Sequence, residues 1–489
     1  MDQDKPNAPS SDHEAMAPFW RKVDAIMGGA ETIRKAGEEY LPRFEAEGRD
    51  AYERRRKNAR FTNIFRDIVE NLAQKPFSTE VMVSDDAPEA ISDFVEDVNG
   101  CGDNLHTFAG VTFFNGIAYA ADWILVDYIN SPGPNATVAQ ERAAGARPIW
   151  ARYPATSVLA AYSDFIGGRE EFVHVRLAES EVERTGYTEA TKERVRVLNR
   201  EKTPDGYAPA TWEVFEKQKD KNGRENWTSI SSGVFSIGVI PLVPFVAGRR
   251  MGKSWRFHPP MRDVADLQVE HYQQENGLKN VKELTAFPML AGNGVSPEIG
   301  EDGKPVALVV GPSTILYTGG GESGSASWGF VEPAATSMRF LADDIEATAK
   351  ELRELGRQPL TAQSGNLTVV TTAFAAQKGN SAIQAWALGL KDALENALRL
   401  TAQWLKVDDA NATVIVNTDF DLGIGDDDTF QHVVAMYRDG TISRDQLVHE
   451  AKRRGIVDQD YDPDDDLDRI IADMGRDDDV EDIPRIAAE

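Results

Sequence analysis

Cysteine is almost absent from this sequence, since Cys101 is the only one among 489 residues. A single cysteine excludes an internal disulfide, a CxxC redox motif and a metal cluster held by thiolates. The composition therefore fits a protein that works in a reducing compartment.

Positive charge is also scarce. The chain has 53 lysines and arginines against 80 aspartates and glutamates, and its formal net charge is −27. Because ordinary DNA-gripping proteins need a basic surface to meet the phosphates, this balance argues against that class. The one notable basic cluster, Arg54 to Lys57 with Arg60, would surround most of a helix. We interpret it as a solvated or subunit-contacting face, with nucleic-acid contact as the alternative.

Long apolar runs are missing as well. The most apolar stretch, residues 233–248, contains Pro241 and Pro244. It is shorter than the roughly 20 residues that a membrane-spanning helix needs. The first residues are polar and acidic without the apolar core of a signal peptide, so we expect synthesis and use in a cytosol and no membrane partner.

Two glycine motifs resemble nucleotide-binding loops only by letter. Gly252, Lys253 and Ser254 lack the earlier glycine of a P-loop, and the two prolines that follow at 259 and 260 prevent the required helix. The run from Gly319 through Gly321 to Gly324 has dinucleotide-motif spacing, but the residues after it are loop-like. We predict a flexible hairpin tip there.

Metal and catalytic constellations are not recognisable either. Asp458, Asp460 and Asp462 begin a calcium-loop pattern, but its sixth position is Pro463 instead of glycine. The seven histidines show no ligand spacing. We therefore expect no catalytic residue, metal or cofactor, and a scaffold or assembly subunit rather than an enzyme.

The order of predicted elements indicates an α+β protein. A helix-rich part precedes residue 130, with a helix-forming run at residues 51–75 and a buried strand at 123–126. Residues 150–246 alternate in hydrophobicity, with a hairpin signal at Lys221, Asn222 and Gly223. Later elements are predicted as helices at residues 263–286, 336–355 and 378–406, strands at 306–310, 314–318, 367–372 and 412–417, and two helices around Gly440.

This order, together with several local patterns, resembles that of tailed-bacteriophage portal proteins. The patterns are Tyr52 to Asn63 followed by an apolar helix and Lys75-Pro76-Phe77, Phe114 to Asp127, Arg147 to Tyr153, Ile315 to Thr318 with Trp328 to Pro333, and Met436 to Leu447. The resemblance implies a portal fold with a helical stem, a β-rich wing, a loop-rich clip and a helical C-terminal crown.

The resemblance also implies a division of the chain. Its expected parts are a flexible tail (residues 1–13), the wing (14–262), the first stem helix (263–286), the clip (287–335), the second stem helix (336–355), the tunnel loop (356–377), the long helix with a wing strand (378–425), the crown (426–457) and an acidic tail (458–489). By the same resemblance the tunnel-loop residues Gln363, Ser364 and Asn366 would line the DNA channel. The clip residues Gly319, Gly321, Gly324 and Trp328 would face docking partners.

A portal is the homododecameric ring at one capsid vertex through which double-stranded DNA enters and leaves. The resemblance therefore implies a virion protein assembled in the host cytoplasm, with terminase, a head–tail adaptor, and the major capsid and scaffolding proteins as partners. Two alternatives stay open. One is another head–tail adaptor or minor capsid protein, and the other is a hydrolase using carboxylates from Asp419, Asp421 and Asp426 to Asp428.

Overall fold

The computed structural model describes most of the chain up to residue 466. The described residues are 5–45, 47–129, 140, 143–204, 206–219, 225–285, 289–293, 315–318, 327–331, 335–356, 369–407, 412–418, 420, 426–453, 456–457, 461, 463 and 466. For residues 284–285, 289–293, 315–318, 327–331, 335–337, 369–379, 426–429, 449 and 452–453 the description covers the backbone alone.

Helices and strands come mostly in separate runs along the chain, which confirms the α+β class. The helices are α1 (Ser11–Met27), α2 (Gly29–Ala36), α3 (Arg49–Lys57), α4 (Ile64–Gln74), α5 (Glu89–Val95), α6 (Leu105–Tyr119), α7 (Arg262–Thr285), α8 (Ala335–Leu355), α9 (Val369–Leu405), α10 (Asp426–Arg438) and α11 (Arg444–Arg453). Within the described residues, no helix combines the length and apolarity that crossing a membrane requires.

The strands form two main sheets and several short ones. They are β1 (Met82–Val83), β2 (Ala121–Ile129), β3 (Arg147–Pro154), β4 (Val158–Ile166), β5 (Arg169–Thr185), β6 (Thr188–Asn199), β7 (Lys202–Thr203), β8 (Gly206–Tyr207), β9 (Thr211–Lys219), β10 (Glu225–Val234), β11 (Leu242–Val246), β12 (Arg249–Arg250), β13 (Phe257–His258), β14 (Met289–Asn293), β15 (Ile315–Thr318), β16 (Ser327–Val331) and β17 (Val414–Ile415). The larger sheet has the antiparallel order β10-β9-β6-β5-β4, and the smaller has the order β11-β2-β3.

The predicted β-rich module is confirmed. Strands β9 and β10 pair from Lys219 with Glu225 onward, so the hairpin lies where the asparagine–glycine signal predicted it. Its turn, residues 220–224, falls outside the described residues.

The main core lies where α6 and α9 cover the smaller sheet. Helix α6 approaches β11 closely because Gly116 has no side chain, and a Cβ there would come within 2.2 Å of the Phe245 ring. Trp150 of β3 is 1% exposed and donates its Nε1 hydrogen to Thr401 Oγ1 of α9 at 2.8 Å. The predicted strand at residues 123–126 forms the buried centre of β2.

The N-terminal helix corrects the expected flexible tail of residues 1–13, because α1 already begins at Ser11. The hydroxyl of Ser10 accepts a hydrogen bond from the His13 amide, and the Ser10 amide donates to Leu159 O at 2.8 Å. A capped first turn joined to the larger sheet is ordered, since its free amides and its apolar face both have partners.

Other boundaries also differ from the prediction. The run at residues 51–75 is split into α3 and α4 by an extended segment, and the predicted strand at 412–417 is reduced to β17. Helix α9 begins at Val369, so the last part of the expected tunnel loop and the strand predicted at 367–372 are helical from that residue on. Although β-branched residues favour strands, elongating an existing helix adds a hydrogen bond per residue without a new nucleation step.

Residues 421–489 form a separate compact unit. Its helices α10 and α11 are joined by a tight turn at Gly440, whose φ of 70° favours glycine. Thr441 donates its amide hydrogen to Met436 O at 2.8 Å, and Ser443 caps α11 by accepting from the Gln446 amide. The predicted pair of helices around Gly440 is confirmed.

One buried acid stands out in the main core. Asp122 of β2 is 0% exposed, and its nearest cation, the Arg152 guanidinium, is 3.4 Å away. Burial raises the pKa of the Asp122 carboxyl to about 7, and Arg152 and Asn115 offset this only in part. The folded state therefore favours the protonated acid.

Replacing this acid should change how stability depends on pH. Because its folded pKa lies above the unfolded value, wild-type stability should fall as pH rises from about 4 to about 7. We expect Asp122→Asn to melt several degrees above wild type at pH 8, with the difference closing towards pH 4. Thermal melting across this range tests it, with the exposed Asp85→Asn as control; parallel profiles for wild type and Asp122→Asn would contradict the assignment.

Candidate functional site

Helices α7 and α8 lie side by side as a hairpin. Gln274 of α7 donates to Asp344 of α8 at 3.3 Å, and Arg353, further along α8, is close enough to His271 to lower its pKa. Residue numbers rise along α7 as they fall along α8, so the two helices are antiparallel. They correspond to the predicted helices at residues 263–286 and 336–355.

The insert between these helices contains a three-stranded sheet. Strand β14 pairs in parallel with β15 and antiparallel with β16. Trp328 lies in β16 opposite Gly292, which corrects the expectation that the residues after Gly324 are loop-like. Strand β14 escaped prediction because Gly292 and Asn293 are poor strand formers, and cross-strand hydrogen bonds decide its conformation.

Several predicted sites lie outside the described residues. These are Gly319, Gly321, Gly324, Gln363, Ser364, Asn366, Asp419, Asp421 and the strand at 306–310. At the first residue of the expected tunnel loop, Gly356 packs against Ile68 of α4, and an added Cβ would lie 2.6 Å from that side chain. The end of α8 is thereby held against the N-terminal helices.

The α7–α8 hairpin is fastened to the N-terminal helices by polar side chains of α7. They bind the segment between α3 and α4 mainly through its main chain. The amide side chain of Asn276 accepts from the Arg60 amide at 2.8 Å and donates to the Arg60 carbonyl at 2.9 Å. Lys279 donates to Asn58 O, and Glu275 accepts from the Thr62 amide and hydroxyl.

Gln268 completes this clamp, which we define as Gln268, Glu275, Asn276 and Lys279. Its Oε1 accepts from the amides of Ile64 and Phe65, each at 2.9 Å, and its Nε2 donates to Thr62 O at 3.0 Å. The Ile64 and Phe65 amides begin α4 and have no partner inside that helix. Gln268 is 0% exposed, so the first turn of α4 depends on α7.

His271 lies beside the clamp. It is 3% exposed, and its Nδ1 is 3.9 Å from Glu275 Oε2. Burial lowers the pKa of the His271 imidazole; Glu275 opposes this, and Arg353 and Arg60 reinforce it. His271 is therefore neutral at pH 7, and acid weakens the folded state as pH falls through the ordinary histidine range.

The sequence did not reveal the clamp, although a signal was present. Val264, Gln268, Tyr272 and Asn276 recur at intervals of four, so two amides occupy a row that is otherwise apolar. A buried amide needs partners, and such a row predicts them. Only the fold shows that these partners belong to a segment more than 200 positions earlier.

The basic cluster is internal only in part. The Arg55 guanidinium is 7% exposed and binds both carboxylate oxygens of Glu47, at 2.8 and 2.7 Å. It also lies 4.2 Å from the centre of the Phe44 ring. Arg56 pairs with Glu53, whereas Arg54, Lys57 and Arg60 are exposed. The interpretation as one solvated face is therefore wrong for Arg55, because bidentate pairing compensates its burial.

The structure also describes some of the residues that the sequence suggested for nucleotide binding or catalysis. Gly252 to Ser254 form a turn between β12 and β13 rather than a helix start. Asp426 to Asp428 begin α10, where acids favour the positive helix end. In the part of the chain that the structure describes, no three His, Cys, Asp or Glu residues gather as metal ligands do.

Residues 260–405, from α7 to α9, match a family described as a domain of unknown function, DUF4055. No protein with a curated description matches this chain. A solved chain titled "Neck of native GTA particle computed with C12 symmetry" is similar at 11% identity and a TM-score of 0.40, over 78% of this chain and 87% of that one. This likeness is too weak to establish a shared fold or function.

Removing the Gln268 side chain should destabilise the protein strongly. The variant Gln268→Ala leaves the Phe65 amide without its partner, and the Ile64 amide and the Thr62 carbonyl keep only their bond to each other at 3.1 Å. Each unpaired buried group costs ~1–3 kcal/mol. We expect the free energy of unfolding to fall by about 3 kcal/mol. Urea denaturation measures it, with Glu270→Ala on the exposed side of the same helix as control. Gln268→Glu keeps the acceptor oxygen, so its stability should lie between those of Gln268→Ala and wild type. Equal stabilities of Gln268→Ala and wild type would rule out the clamp.

Proposed function

We propose that this chain is the subunit of a portal ring at one vertex of a phage-like capsid. The ring would be the conduit for DNA packaging and ejection and a virion component. The observation that carries the proposal is the antiparallel α7–α8 hairpin with a strand-bearing insert, followed by a helix of 37 residues that returns to the wing core. These elements correspond to stem, clip, stem and long helix.

The stem dimensions suit a channel. Helices of 24 and 21 residues extend roughly 36 and 32 Å at 1.5 Å per residue. Twelve helices of ~10 Å diameter, side by side in a ring, have a circumference of about 120 Å and leave a bore of about 28 Å. A DNA duplex passes through a bore of that width.

The charge also suits a conduit. Helices α7 and α8 each carry five acidic and three basic residues, so the stem has the negative sign of the whole chain. Like charge repels phosphate, and a duplex slides past such a wall without being gripped. A conduit performs no reaction and needs no cofactor; terminase would supply ATP hydrolysis.

The partners follow from the same assignment. The clip, with Gly319, Gly321, Gly324 and Trp328, would face terminase and the head–tail adaptor. The wing and crown would face the major capsid and scaffolding proteins. The hydrolase alternative has the weakest support, since Asp426 to Asp428 occupy positions where acids stabilise a helix start.

The first test is assembly. We expect purified protein to form closed rings, twelvefold in the particle, because the stem hairpin exposes one of its helices along most of its length. Native mass spectrometry with negative-stain imaging measures the ring number. Monomers or dimers alone at high concentration would contradict the portal and leave an adaptor or minor capsid protein.

The second test concerns the tunnel loop. Its residues Gln363, Ser364 and Asn366 are polar and uncharged, and we propose that they contact the phosphate backbone without attracting it. Gln363→Lys or Asn366→Lys should slow translocation, and more strongly at low salt, where the added attraction is less screened. The matched Asp variants should be milder. The readout is packaged DNA per particle across ionic strength; equal packaging by all variants would remove this loop from the channel.

A further inference from the structure

A positively charged groove opens between α7, α8 and the segment that joins α3 to α4. It has a volume of about 580 Å³, and its charged lining consists of Arg34, Arg60, Lys279, Lys282 and the single carboxylate of Glu275. Four cationic side chains line this one groove, although the whole chain has a net charge of −27. Such a groove attracts an acidic partner.

The floor of the groove is apolar. Leu278 of α7 and Ala342 and Ile345 of α8 line it. Its occupant should therefore combine carboxylates with an apolar side chain, which a protein surface provides and a phosphate backbone does not. Glu275 also opposes phosphate, since its carboxylate lies 3.3 Å from Arg60 and offsets part of the positive charge.

The far side of α8 has this chemistry. Phe340 is 71% exposed. Asp343, Ala347, Glu351 and Glu354 are exposed too and follow Phe340 at helical spacing, so the five side chains form one stripe. An exposed phenylalanine at the head of a row of carboxylates is the complement of a cationic groove with an apolar floor.

The stripe and the groove face different directions. At 3.6 residues per turn, Ala347 lies about 200° around α8 from Ile345, which lines the groove. One chain therefore cannot fill its own groove with its own stripe. A contact between two different surfaces of identical chains is heterologous, and such contacts build rings when the rotation closes.

We infer that the groove of each chain binds the α8 stripe of a neighbouring copy. Phe340 of the neighbour would enter over Leu278 and Ile345, and its carboxylates would meet Arg60 and Lys282. The inference rests on the proposed function in that both require a ring. It goes further by naming the surfaces that hold adjacent stems together.

Charge reversal tests the inference directly. The groove variant carries Arg60→Glu and Lys282→Glu, and the stripe variant carries Asp343→Lys and Glu351→Lys. Each variant alone should need a more than ~10-fold higher concentration to assemble, because like charges then face each other across the contact. Mixed together, the two should assemble into alternating rings, since the reversed groove of one fits the reversed stripe of the other.

Two further variants serve as controls. Arg21→Glu with Arg49→Glu changes the net charge as the groove variant does, at exposed positions outside the groove, and should leave assembly unchanged. Phe340→Ser should weaken assembly without changing the charge. Circular dichroism and thermal melting of each variant confirm that the chain is folded before assembly is compared.

The outcomes separate the inference from the proposed function. If wild type forms no ring, the portal proposal fails before any variant is compared. If wild type and both charge variants form rings equally well, the portal proposal stands and this contact is overturned. If the groove variant keeps its ring but loses retention of a DNA duplex in a gel-shift assay, the groove binds phosphate and the inference is likewise overturned.

Discussion

The fold depends on a main-chain segment that cannot satisfy its own hydrogen bonds. Residues 58–63 join α3 to α4 outside any helix or strand, and only some of their amides and carbonyls have main-chain partners nearby in the chain. Helix α7 supplies further partners through Gln268, Glu275, Asn276 and Lys279. Because unpaired buried main-chain groups are expensive, this requirement fixes where α7 packs against the N-terminal helices.

The same requirement explains part of the charge distribution. Arg34 donates to Ala59 O at 2.8 Å, and Arg56 donates to Arg34 O at 3.1 Å, so both cations serve the main chain. Arg55 is buried against Glu47. The basic cluster is thus divided: Arg55 and Arg56 make internal bonds, Arg60 lines one groove, and Arg54 and Lys57 are exposed.

The larger sheet is organised by ion pairs instead. Arg196 binds both Glu179 and Asp127 at 2.7 Å. The buried Tyr153 lies beside the same charged groups, so the four side chains form one polar network. Arg194 pairs with Glu216 across strands β6 and β9. Cross-strand pairs of this kind fix register, because a shift by one residue turns every side chain to the opposite face. The larger sheet and the α7–α8 hairpin are therefore held by different interactions: charge pairs stabilise the sheet, and side-chain bonds to the main chain hold the hairpin.

Local sequence was enough to predict the fold class, the helices at residues 263–286 and 336–355, the β-rich module and the helix pair around Gly440. These features rest on local periodicity and turn chemistry, which single segments carry. Packing between distant segments, in contrast, buries Asp122, breaks residues 51–75 into two helices, starts α9 at Val369 and directs Gln268 to α4. Each of these depends on a partner distant in sequence, and hydrogen-bond satisfaction and burial are properties of the packed chain that local pattern does not contain.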